Sequence, residues 1–281
     1  MKIEYDILAK VSYQTNLLFS GGNMIKLIIC DLDGTLLPSG EKEINREIKN
    51  LIKLATEKGI KFVVASGRAY HELKSIFDDV SQELIFMPSD GALTVYREKT
   101  YYNKPLNLSA VENVIKIAAT EKPGIVFSGK YLSSYMGEDK DFTSEILAKK
   151  HYMKVYNMAD VEEDVYKLAF FGEPKTSFVK KALSGTYTNM LKIICKSGGW
   201  TEFIAPGAGK ELAAKCMMDT LKIAPREVAV FGNDTNDVGM LSLSPNSFYV
   251  ENSHPEAVKA AKHETSDIVK TLSEIIRKGD I

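Results

Sequence analysis

Three short apolar runs in this chain each stop at a polar cluster, and that pattern constrains the fold more than any other feature. Lys26-Leu-Ile-Ile-Cys30 runs into Asp31-Leu32-Asp33-Gly34-Thr35. Lys61-Phe-Val-Val-Ala65 runs into Ser66-Gly67-Arg68, and Glu227-Val-Ala-Val-Phe231 into Gly232-Asn233-Asp234-Thr235-Asn236-Asp237. Nearly unbroken apolar runs of this length are expected of strands covered on both faces, as in a parallel sheet. Between the first two, Ile44, Ile48, Leu51, Ile52 and Ala55 recur at helical spacing, and Gly59 stops the pattern. A strand-helix-strand unit follows, right-handed by the rule for parallel crossovers. In an open α/β sheet ligands bind beyond the carboxyl ends of the strands, so the three clusters are predicted to meet.

The middle of the chain has another texture. After a helix near Tyr70–Asp79 and a strand over Leu84–Met87, short alternating segments appear from about Gly91 to Ile204. They include 92–96, 100–102, 125–127 and 168–171, with helical stretches near 109–121, 142–150 and 175–183 between them. Such mixed elements read as an α+β insert rather than continued winding of one sheet. The predicted fold is therefore of the α/β class: a Rossmann-like parallel-sheet core over 24–87 and 206–281, with an inserted α+β cap domain over 88–205. Residues 1–23 read as an N-terminal extension, disordered or a mis-called start, because Asp6 and the polar 13–16 stretch leave too short an apolar core for a signal peptide.

Asp31 and Asp33, two apart at a strand end, project to the same side of the chain. Two close carboxylates repel unless a cation lies between them, and magnesium suits hard oxygen ligands that leave room for water and phosphate. An aspartate also serves as a nucleophile towards phosphorus, and a second carboxylate as the proton donor to the leaving oxygen. Gly34 and Thr35 provide a tight exit turn whose amides can face phosphate oxygens. Taken singly these signals have plain readings: an Asp-rich turn, an ordinary helix cap at Ser66, a surface lysine at Lys210.

Together, in this order, they resemble the haloacid dehalogenase superfamily, and within it the Cof-type phosphatases with a large α/β cap. The resemblance covers essentially all of the chain from Met24 onwards. It implies that Asp31 is the nucleophile, Asp33 the general acid/base, Ser66 the hydroxyl that holds the phosphate and Lys210 the cation that offsets its charge. It further implies Mg2+ held by Asp31, Asp33, Asn233 and Asp237, and a substrate site that includes Leu32, Gly34, Thr35, Gly67, Arg68 and Asn236. Two positions depart from the family pattern. Asn233 stands where a metal-binding aspartate is usual, so one negative charge is missing. Asp90, in Ser89-Asp90-Gly91-Ala92, stands where asparagine is usual, and its charge repels a phosphate unless it meets a cation.

Composition narrows the function classes. The 281 residues carry a formal net charge of -1, so no broad basic field exists for a nucleic-acid backbone. No apolar run approaches the roughly 18 residues of a membrane span. Cys30, Cys195 and Cys216 are odd in number and lack metal-ligand spacing, which favours structural thiols in a reduced cytoplasmic setting. His71, His151, His254 and His263 read as structural, Lys149, Lys150 and Lys154 as a solvated face, and Trp200 as cap core or pocket wall. The expected function is an Mg2+-dependent phosphatase that acts on small phosphorylated metabolites, sugar phosphates foremost, through an aspartyl-phosphate. A phosphomutase using the same intermediate and a catalytically impaired sensor of a phosphorylated metabolite are the alternatives. Oligomeric state is left open.

Overall fold

The computed structural model describes residues 24–119, 121–172, 189–195 and 199–278. The extension over 1–23 and the helix expected over 175–183 lie outside the described residues. The first half runs β1 (Leu27–Asp31), α1 (Arg46–Glu57), β2 (Lys61–Ala65), α2 (Tyr70–Ile76), β3 (Leu84–Met87), β4 (Leu93–Tyr96) and β5 (Lys99–Asn103). It continues with α3 (Leu108–Ala118), β6 (Gly124–Ser128), β7 (Ser133–Met136), α4 (Lys140–Leu147), β8 (Tyr152–Lys154) and β9 (Lys167–Phe171). Next come β10 (Lys192–Cys195), β11 (Trp200–Ile204), α5 (Lys210–Leu221), β12 (Val228–Gly232) and α6 (Val238–Leu241). The chain closes with β13 (Asn246–Val250), α7 (Pro255–Ala260), β14 (His263–Thr265) and α8 (Ile268–Lys278).

The strands form two sheets. The larger has the order β14-β13-β12-β1-β2-β3-β4-β5, parallel except for the β4–β5 hairpin, and the smaller has the order β10-β11-β9-β6-β7-β8. Within β1 the side chains alternate between two cores. Ile28 and Cys30 join Ile48, Leu51, Leu272 and Ile275 of α1 and α8 on one face. Leu27 and Ile29 join Ala213, Met217 and Met218 of α5 on the other. Helix α1 forms where its apolar stripe predicted, with the Asn45 side chain capping the Glu47 amide and Ile48, Leu51, Ile52 and Ala55 buried.

Because β1 lies between β12 and β2, Cys30 pairs with Phe231 and Asp31 with Ala65. The three polar clusters thus leave three adjacent strands at one level. The insert boundary differs from the expectation of residue 88. Strands β4 and β5 extend the larger sheet, with Ile85 paired to Tyr96 and Phe86 to Val95. Burial of Leu93 and Val95 requires that sheet, and β5, mostly exposed, is its edge. The alternation over 92–102 therefore marks an edge hairpin, and the second sheet begins only at β6. Among the described residues no helix is long and apolar enough to cross a membrane.

Candidate active site

The centre of the site is a buried charge cluster. Lys210, the first residue of α5, directs its Nζ to Asp31 Oδ1 at 2.6 Å and to Asp237 Oδ1 at 2.8 Å. All three side chains are shielded, at 1, 7 and 0% exposure. One cation shared between two buried anions leaves a surplus negative charge. Burial first, then Asp237 and Asp33, push the Asp31 carboxyl up to about 7 against the pull of Lys210. The two carboxylates hold the Lys210 ammonium firmly protonated despite its burial.

Backbone requirements bring these groups together. Gly34 has φ +86°, and a Cβ there would lie 2.3 Å from the Asn233 carboxamide, so only glycine lets the β1 and β12 loops touch. Gly91 has φ +80°, and a Cβ there would lie 2.5 Å from the Gly209 carbonyl, which admits the β3–β4 loop against the start of α5. Asp237 uses its other oxygen, Oδ2, to accept from the amides of Asn233 and Asp234 at 2.9 and 3.1 Å. Asp237, expected among the metal ligands, thus holds Lys210 through Oδ1 and the β12 loop through Oδ2.

Asn233 reaches back across β1. One terminal atom of its carboxamide lies 3.1 Å from Asp31 Oδ2, 3.3 Å from the Asp33 carbonyl and 3.1 Å from Thr35 Oγ1. With nitrogen in that place its two N–H groups face these three acceptors. With oxygen there it accepts from Thr35 alone and faces two further bare oxygens. With oxygen there, the Asn233 carboxamide lies 3.1 and 3.3 Å from the Asp31 carboxylate and the Asp33 carbonyl, a set of three oxygens that fits a small hard cation able to remove their repulsion. Among the described residues no cluster of three His, Cys, Asp or Glu has metal-site form. A site built from one carboxylate, one carbonyl and one amide has no such cluster.

Asp33 points the other way, half-exposed. It receives a forked ion pair from Arg68, Nε to Oδ2 at 3.0 Å and Nη2 to Oδ1 at 2.6 Å, and approaches Ser66 Oγ at 3.5 Å. The Ser66 hydroxyl accepts from the Arg68 amide at 3.1 Å. Asp31, Asp33, Ser66, Arg68, Thr35, Asn233, Asp237 and Lys210 thus occupy one locality, as predicted. Leu32 is wholly buried in the core, which leaves only its main chain for a ligand, and Asn236 donates to Asp90 at 2.8 Å.

A cavity of about 420 Å³ opens from Asp33, Gly67 and Arg68 towards the second sheet. Its roof includes Ser128, Tyr152, Lys167, Trp200 and Glu202, with Glu72 and Lys149 at the side. Trp200 proves to be both cap core and pocket wall: its ring lies 5.0 Å from that of Phe171 and it lines the cavity. Lys149, expected on a solvated face, also lines the cavity. Sequence reasoning did not find Lys167 or Glu202. The available signal was a charged residue in each of two otherwise apolar segments, Lys167-Leu-Ala-Phe-Phe171 and Trp200-Thr-Glu-Phe-Ile204. His71 stays structural in character, with Nε2 2.8 Å from Ser133 Oγ and its basicity lowered by burial.

Comparisons with known proteins agree with this geometry. The family model for haloacid dehalogenase-like hydrolases matches residues 28–270. A protein of Escherichia coli K12 named 5-amino-6-(5-phospho-D-ribitylamino)uracil phosphatase YbjI is 31% identical over 245 residues, covering 85% of this chain and 90% of its own. A solved structure from Streptococcus mutans UA159 superposes with a TM-score of 0.79 at 20% identity, over 90% of this chain and 99% of that one. A sugar phosphatase of subclass IIB of the superfamily superposes at 0.73 with 17% identity, over 89% of this chain and 98% of that one. The two structures establish the fold, second sheet included. Since the family match spans most of the sequence and its strand-end clusters meet at one buried site, the chain belongs to the haloacid dehalogenase-like hydrolases.

Proposed function

We propose that this hydrolase is an Mg2+-dependent phosphatase of small phosphorylated metabolites, sugar phosphates foremost, that works through an aspartyl-phosphate on Asp31. The observation that carries the reading is the meeting of Asp31, the Asp33 carbonyl and Asn233 beside Lys210, at the floor of a cavity roofed by a second sheet. Asp31, Asp33 through its main chain, and Asn233 would hold the magnesium. Bound there, it would supply positive charge to Asp31 and to phosphate oxygens and keep the nucleophile ionised. Asp31 attacks phosphorus in line, with Lys210 offsetting charge on the transferred group. The Ser66 hydroxyl orients the phosphate, whereas the Gly34 and Thr35 amides, expected to face it, donate to the Leu37 and Leu32 carbonyls at 2.8 and 3.2 Å. Asp33, aimed by Arg68, donates a proton to the departing oxygen and later takes one from the water that cleaves the acyl phosphate.

A roofed cavity of about 420 Å³ suits a metabolite rather than a protein side chain on a folded partner. Trp200 beside Glu202 and Ser128 adds an aromatic face to polar groups, which favours a hydroxylated chain that bears a ring. A phosphorylated sugar alcohol carrying a heterocycle, the kind of compound in the name of the Escherichia coli relative, therefore belongs in the test panel with simple sugar phosphates. The unpaired Cys30 and Cys216 accord with a cytoplasmic setting.

The test is phosphate release from such a panel with magnesium varied. Magnesium-dependent turnover of at least one member is expected, and phosphorus NMR should show free phosphate rather than an isomeric ester. Absence of turnover across the panel and with p-nitrophenyl phosphate, at all magnesium concentrations, overturns the reading. The missing charge at Asn233 gives a second expectation. Asn233→Asp should lower the magnesium concentration for half-maximal thermal stabilisation by about tenfold, since one more anion faces the cation. In metal chelator the same variant should melt below the wild type, because a second carboxylate then faces Asp31. An unchanged magnesium midpoint would place the cation away from Asn233.

A further inference from the structure

The extra charge at Asp90 has a counterpart on the second sheet. Asp90 lies in the loop after β3, in left-handed backbone at φ 55°, and its residue is 4% exposed. The loop is stitched to the phosphate-holding turn: the Asp90 amide donates to the Ser66 carbonyl at 2.9 Å and the Ser89 amide to the Arg68 carbonyl at 2.8 Å. Asp90 Oδ1 accepts from Asn236 Nδ2 at 2.8 Å, and Oδ2 faces Lys167 Nζ at 3.8 Å.

Lys167 opens β9, an interior strand of the smaller sheet, and is 8% exposed. Its Nζ donates to the Gly67 carbonyl at 2.7 Å and pairs with Glu202 at 2.9 Å. One ammonium from the second sheet is thus bonded to a carbonyl of the larger sheet's phosphate turn, with a carboxylate from each sheet to balance it. Burial of a charge on this scale persists only where hydrogen bonds and opposite charges compensate it. Glu202 and Asp90 also hold the Lys167 ammonium protonated against its burial.

From this arrangement we infer that Lys167 is a positioning residue for phosphoryl transfer, with Asp90 as its matched counter-charge. It fixes the Ser66–Arg68 turn and seats the second sheet over the cavity. The inference rests on the phosphatase reading for its kinetic consequences and adds to it a residue outside the three strand-end clusters and Lys210. Without Lys167, the buried Asp90 loses the ammonium that faces its Oδ2 and shares the field of Lys210 with Asp31 and Asp237, so an anionic substrate meets more uncompensated charge. Replacing Asp90 by asparagine then removes the charge part of the penalty, so the two substitutions must be non-additive.

The kinetic test uses the full chain and p-nitrophenyl phosphate. Lys167→Met should raise KM about tenfold, Asp90→Asn alone by about threefold or less, and the double variant should fall clearly below Lys167→Met while keeping the part of the rise due to the lost Gly67 bond. A second readout needs no turnover. Trp200 is the single tryptophan and lies two residues from Glu202 on the cavity wall. Acrylamide should quench its fluorescence more strongly in Lys167→Met, and Lys167→Arg should restore both the quenching and KM. Independent, multiplying KM effects of the two substitutions, or unaltered Trp200 quenching in Lys167→Met, would overturn the inference. If Lys167→Met does not fold, Lys167→Met with Glu202→Gln removes the cation together with its nearest anion and must show the same rise in KM and quenching. A wild type without phosphatase activity would sink the functional reading alone, because the quenching comparison still judges the bridge.

Discussion

Asp31→Asn is expected to lower magnesium-dependent phosphate release from p-nitrophenyl phosphate by about a thousandfold or more, while the folded protein becomes more resistant to heat at alkaline pH. The loss of turnover follows from chemistry: a carboxamide is a poor nucleophile towards phosphorus and forms no stable phosphoryl adduct. The gain in stability follows from electrostatics. Folding raises the Asp31 carboxyl from its ordinary value to about 7, with burial the largest cause. The folded chain therefore binds a proton that the unfolded chain releases once pH exceeds about 4. Stability from this group is intact below that point, declines as pH rises towards 7, and is fully lost above it. Asparagine carries no such titration. In metal chelator the variant should melt above the wild type at pH 8, with the difference shrinking towards pH 4. Thermal scans across that range check the sign. Turnover retained in Asp31→Asn would remove the nucleophile assignment, and a melting difference independent of pH would remove the burial argument.

How much of this was legible in the sequence follows from the range of the interactions involved. The helix α1, its stripe and its end at Gly59 are local, and they formed where periodicity placed them. The three buried strands were legible because continuous burial on both faces leaves an unmistakable apolar run. Convergence of their polar ends then followed from a rule about parallel sheets rather than from any contact visible in sequence. The hairpin β4–β5 was misplaced because alternation signals a half-buried strand without saying which sheet it borders. The roof of the cavity was less accessible still. Strand β9 pairs with β6 and β11, partners far away in sequence, so nothing local reveals that Lys167 faces Gly67 and Asp90. Asp237 shows the limit of motif reasoning. Its position in the cluster was legible, but its commitment to Lys210 and two loop amides depends on how the β12 loop turns.

Lys210→Met should be the most destabilising single change in the site. Methionine keeps much of the length and apolar bulk of the lysine stem, so the substitution isolates charge from packing. What remains is Asp31 and Asp237, almost fully buried, with no cation between them. Removing one partner from a buried ionic cluster costs about 3–5 kcal/mol, which for a chain of this size is a fall in melting temperature of order ten degrees. Two rescues discriminate the cause. Asp237→Asn in the Lys210→Met background should recover part of the loss, since it removes one of the two uncompensated anions. Magnesium should recover part as well, and more than it gives the wild type, because Asp31 then has the cation as its only positive neighbour in the cluster. Activity should stay low in both rescued forms, as the phosphoryl group would lack the ammonium that offsets its charge. A Lys210→Met protein that melts with the wild type would show that the cluster sheds its negative charge by protonation, and the electrostatic account of the site would fail at its centre.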